Sequence, residues 1–86
     1  MPTISMFYGI KIFMPPMDHN PPHFHVKYNK YNAIIAIHTG EVLAGQLPPK
    51  ARSLTEEWRI LYQDEIMKVW DKLCLAEKVS KIPGLE

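Results

Sequence analysis

A proline pair, Pro48-Pro49, divides this chain, and the hydrophobic pattern changes period across it. Before the pair, apolar residues recur at every second position and are interrupted by turn-forming residues, the mark of half-buried strands. After it they recur at ~100° per residue, the mark of an amphipathic helix. A chain of 86 residues has room for one core, in which roughly 60–65% of the unfolded surface can be buried. Together these features predict one α+β domain over residues 1–86. A small antiparallel sheet of three to five strands with a histidine loop occupies 1–47. One long C-terminal helix over 48–77 packs on the sheet, and a tail follows over 78–86.

The strand half has a predicted register. Ile10, Ile12 and Met14 alternate with Lys11 and Phe13, with Gly9 marking a bulge or a break from Ile4–Tyr8. Two further runs, His23 to Tyr28 and Tyr31 to His38, flank Asn29-Lys30, a two-residue turn whose Asn29 suits positive φ. Thr39-Gly40 is a second tight turn before Val42 to Gln46. If Tyr28 faces Tyr31, then Val26 faces Ala33 and Phe24 faces Ile35. Phe24, Val26, Tyr28, Tyr31, Ala33, Ile35 and Ile37 then form the core face. His23, His25, Lys27, Asn32, Ile34, Ala36 and His38 form the other, and a one-residue slip would exchange the two. In the helical half, Ala51, Leu54, Trp58, Leu61, Tyr62, Ile66, Val69, Trp70 and Leu73 share one arc. Ile60 falls off that arc and is expected to be exposed, and Gln63-Asp64 is a candidate break.

Composition narrows the function classes. Apolar residues make up 47% and charged residues 22% of the chain, as in ordered globular domains. A net charge of +1 does not favour non-specific nucleic-acid binding, which draws on a clearly basic surface. Cys74 is the only cysteine, so neither an internal disulfide nor a thiolate metal cluster can form. Met1 to Ile12 lack the pattern of a signal peptide, and no run approaches ~18 apolar residues. The expectation is a cytoplasmic protein without a membrane span.

The segment Asp18-His19-Asn20-Pro21-Pro22-His23-Phe24-His25 holds three of the four histidines. His23 and His25, two apart on a strand, project from one face. They could chelate a divalent ion such as zinc, with His38 as a third ligand and His19 or Asp18 as another. They could instead work without metal, His19, His23 and His25 acting as general acids or bases on a phosphodiester with Lys27 beside them. A third reading treats Asp18, His19, Asn20, His23, His25 and Lys27 as a polar recognition surface for a partner. Phe24, Tyr28 and Tyr31 could stack bases, but they share the face that the helix needs, so core is the preferred assignment.

Several stretches resemble one small prokaryotic family, the domain-of-unknown-function family forty-one-sixty. They are Met1-Pro2-Thr3-Ile4-Ser5, the block from Asp18 to His25, Thr39-Gly40-Glu41-Val42-Leu43, Leu47-Pro48 and Glu57-Trp58. The resemblance implies one half of a two-gene module similar to a toxin–antitoxin pair, and so a small cognate protein encoded by a neighbouring gene. Members of that family commonly carry an acid where Ala36 stands, often another where His38 stands, and Arg where Met6 and Phe13 stand. The missing acid opposite His23 removes a natural ligand or orienting partner. The expectation is therefore a partner-binding module. A homo-oligomer is a further option and nucleic acid is not favoured. The alternative is a histidine-based hydrolase or nuclease, with or without a divalent metal.

Overall fold

Two hairpin turns set the topology. Tyr8 and Gly9 both take positive φ, 49° and 78°, the combination whose twist matches that of paired antiparallel strands. Asn29, at φ 53°, opens the second hairpin. The computed structural model describes residues 3–15 and 20–85. In it the strands are β1 (Thr3–Phe7), β2 (Ile10–Phe13), β3 (His23–Tyr28), β4 (Tyr31–Ala36) and β5 (Val42–Gly45). They form one antiparallel meander in the order β1-β2-β3-β4-β5. The expected register holds throughout the β3–β4 hairpin, from Tyr28 opposite Tyr31 to His23 opposite Ala36.

The core lies on the predicted face. Ile10, Ile12, Met14, Phe24, Val26, Ala33, Ile35 and Ile37 are all buried. A bulge in β1 places Ile4 outside the pairing between Thr3 and Ser5, so Ile4 and Ser5 are both buried despite being neighbours. Ser5 Oγ has no hydrogen-bond partner among the described residues. A second irregularity, between Ile34 and Ile35, sets Leu43 outside the pairing of β4 with β5. At its far side Gly45 takes φ 76°. A Cβ there would fall onto the Asn32 carbonyl oxygen, so only glycine fits without backbone movement.

The expected single helix is instead two, α1 (Pro49–Leu61) and α2 (Gln63–Cys74). The break falls on Tyr62, at φ −117° and ψ 24°. Its N–H still donates to the Trp58 carbonyl and its carbonyl still accepts from Ile66, so the ladder bends without being severed. No glycine or proline marks the position. Asp64 and Glu65 in the first turn of α2 suit the positive end of a new helix. Two further expectations are corrected. Leu61, assigned to the apolar arc, is exposed, because the arc is interrupted at the bend. Helix α2 ends at Cys74 rather than near Glu77, where Ala76 takes φ 57°. Ile60 is exposed as predicted.

Trp58 fills the centre, fully buried. Its ring lies 5.7 Å from that of Phe7 and 5.5 Å from that of Phe24. The segment after α2 forms neither helix nor strand but is packed. Ile82 is buried and donates its N–H to the Ile4 carbonyl, and Trp58 Nε1 donates to the Pro83 carbonyl. Gly84 lies close against Met6 and Phe7. Residues 82–84 thus run alongside β1 in the same direction. No helix among the described residues is long and apolar enough to cross a membrane.

Candidate functional site

Strand alternation turns His23, His25 and Lys27 away from Phe24 and Val26, onto the outer face of the sheet. Pairing across strands then builds rows. Phe13, His25, Ile34 and Ala44 stand successively opposite one another from β2 to β5. Lys11, Lys27 and Asn32 form the adjacent row. The ring of Phe13 stacks on His25 at 5.2 Å and 26°. His25 is 5.5 Å from His23, and His23 is 5.2 Å from Trp70 of α2, at angles of 57° and 56°. Four rings therefore run from the middle of the outer face to the helical layer. Between the strands, a shallow trough of about 240 Å³ is lined by Phe13, His25, Asn32, Ile34, Ala44 and Gly45, among others.

His23 is almost wholly buried, at 8% exposure. Its Nδ1 lies 2.7 Å from the Pro21 carbonyl oxygen. A carbonyl only accepts, so Nδ1 carries the proton and any ligand or acceptor role falls to Nε2. His25 is half-buried, with Nε2 inside. Lys27 and Asn20 are exposed. Asp18 and His19 lie outside the described residues.

The set His23, His25 and His38 is not assembled as a metal site. Among the described residues no three His, Cys, Asp or Glu side chains come together in a group able to hold a metal ion. The reason lies at the end of β4. Strand β4 ends at Ala36, opposite His23, and one further bond in the same register, from the Ile37 N–H to the Pro22 carbonyl, closes the ladder. The chain then turns, with the Gly40 N–H donating to the Ala36 carbonyl and the Ala36 N–H donating to that of Glu41. His38 sits in that turn, exposed. Cys74 is an exposed thiol at the end of α2.

One polar cluster was not among the sequence candidates. Arg59 is buried at 6% exposure. Its Nε and Nη2 each lie 2.7 Å from a carboxylate oxygen of Glu56, a two-bond fork. Its Nη1 donates to the carbonyls of Ile37 at 2.9 Å and His38 at 3.3 Å. Gln63 Nε2 reaches the same carbonyls at 3.4 and 3.5 Å. The hydrogen bond from Arg59 holds the Glu56 carboxyl below its ordinary value of 4.5, and Glu56 in turn raises Arg59. Gly40 is the close neighbour, since a Cβ there would come within 2.5 Å of Glu56 Oε1. The cluster fastens the β4–β5 turn to both helices. The only sequence signal for it is the i,i+3 pairing of Glu56 with Arg59.

These features define an antiparallel α+β domain whose outer sheet face exposes Lys11 and Lys27, half-buries His25 and buries His23 beside Trp70. The chain belongs to the family described as a domain of unknown function (DUF4160), whose model matches residues 9–71. That span begins in the β1–β2 turn and ends within α2. No curated protein matches the chain, and no solved structure matches it.

Proposed function

We propose that this protein is the partner-binding component of a prokaryotic two-gene module resembling toxin–antitoxin pairs. In this reading the outer sheet face docks a small cognate protein encoded by a neighbouring gene. One observation carries it: the row Phe13, His25, Ile34 and Ala44 leaves a partly apolar trough lined by residues of strands β2 to β5. A face of this kind on so small a domain is a natural recognition surface. Co-expression with the product of the adjacent gene tests the reading. The two proteins should co-elute, and Ile34→Asp, which places a charge in the trough, should separate them. A chain that elutes alone beside its neighbour's product would overturn the proposal.

A second reading is hydrolysis of nucleic acid by the histidines, with or without a divalent ion such as zinc. It is favoured by the His23–Pro21 hydrogen bond, which fixes one ring nitrogen and commits the other, as in working general bases and ligands. Cleavage of a labelled oligonucleotide that is lost in both His23→Gln and His25→Ala would support it. Elemental analysis of the purified chain decides whether metal takes part.

A further inference from the structure

Charge on this molecule is sorted by layer. Both helices mix acids and bases, five of each in total. The strands hold Lys11 and Lys27 and not one aspartate or glutamate. The two lysines are directly opposite each other in the β2–β3 register, and both are exposed. Like charges so placed repel and destabilise a sheet. Among the described residues neither has an acidic partner, and Lys11 Nζ instead lies 5.9 Å over the Phe13 ring. Asn32, exposed, continues the lysine row onto β4. The apolar row through Phe13 and Ile34 runs beside it, two residues along each strand, roughly 6.5–7 Å away.

From this juxtaposition we infer that the outer sheet face docks an acidic, amphipathic protein segment. Its carboxylates bridge Lys11 and Lys27, and its apolar side chains enter the trough over Phe13 and Ile34. The inference rests on the proposed reading of this face as a docking surface and adds the chemistry of the partner. A carboxylate between the two lysines removes their repulsion, and none of the described residues supplies one. Single-stranded nucleic acid would also bring negative charge, but it gains affinity by stacking bases on open ring faces. Here the Phe13 and His25 rings are stacked on each other. Two lysines are also few for a backbone-tracking groove.

The test titrates the full chain with three probes. The first is a short synthetic peptide alternating glutamate with leucine or valine. The second is the same peptide with glutamine for glutamate, and the third is oligothymidylate of similar length. The acidic peptide should bind and shift the amide resonances of Lys11, Phe13, Lys27 and Ile34. The glutamine peptide should bind about tenfold more weakly, and added salt should narrow the difference. Lys27→Glu should weaken the acidic peptide by about tenfold while the melting temperature holds or rises, which separates lost recognition from lost folding. Equal binding of the two peptides, shifts confined to another face, preference for oligothymidylate or no binding at all would each overturn the inference. Co-elution with the neighbouring gene product is read separately. If the pair co-elutes but the chain ignores the acidic peptide, the acidic-segment inference falls alone. If the peptide binds as described but the pair does not co-elute, the two-gene reading falls alone.

Discussion

The Arg59 cluster and the Lys11–Lys27 row handle positive charge in opposite ways. Arg59 is buried, yet Glu56 and two backbone carbonyls meet its guanidinium within the chain. Lys11 and Lys27 are exposed, aligned and without an acid on any strand. The first arrangement serves the fold, because a buried charge is tolerated only when its donors are satisfied. The second costs the fold a little, and the ring contact of the exposed Lys11 over Phe13 offsets little of it. The first charge is satisfied from within the chain, and the second is where the proposed acidic partner would act.

Substitutions can break or sharpen this contrast. The largest effect is expected for Arg59→Met, which removes the fork and strips two carbonyls of a donor. Denaturant unfolding should show a loss of about 2–4 kcal/mol. An effect near zero would mean that the cluster does not hold the turn. Glu56→Gln should cost less, about 1 kcal/mol, since the Glu56 side chain is 42% exposed and water screens the pair. Its pH dependence has a definite sign. The folded-state value of Glu56 lies below 4.5, so its contribution is fully present above that value. It fades as pH falls through the depressed one. The stability gap between wild type and Glu56→Gln should therefore close in acid and stay constant near neutrality.

Smaller effects should run the other way on the sheet. Ser5→Ala removes a buried hydroxyl that has no partner among the described residues. It should be neutral or stabilise by up to about 1 kcal/mol, read from the denaturation midpoint. Lys27→Glu should stabilise the free domain by roughly 0.2–1 kcal/mol by turning a repulsive cross-strand pair into an attractive one. Thermal melting at low salt would show it. A destabilised Lys27→Glu domain would mean that the lysine row supports the fold, and the contrast would lose its meaning.

The hairpin was legible because local chemistry fixed it. Asn29 opened the turn, and the placement of Ala36 opposite His23 followed by counting. The shared face of His23 and His25 followed from strand alternation alone. The rest depended on contacts that no local pattern encodes. The break was partly legible, since Gln63-Asp64 stood out as a candidate and α2 begins at Gln63, but the bend itself falls on Tyr62, inside an apolar arc that continues to Leu73. Arg59 reads as a solvent-facing helix residue until the β4–β5 turn is folded against it. His38 appeared to extend the histidine face because β4 seemed to continue to it, but the strand ends at Ala36 and the last ladder bond is that of Ile37 to Pro22. The ring contacts of His23 with Trp70 and of His25 with Phe13 join residues from separate elements, and only the tertiary fold brings them together.

The segment over residues 82–84 gives the sheet a growth polarity. One rim, along β1, is occupied by the chain itself through Ile82 and Gly84. The other, along β5, has no strand beside it among the described residues. Exposed rims recruit strands from other molecules. A sheet with two free rims can add copies without end, whereas one with a single free rim is finished after one addition. Two copies meeting through β5 would close on each other as a symmetric pair. The stretch beside β1 thus leaves β5 as the rim with no neighbouring segment among the described residues, so any edge-to-edge pairing would fall there.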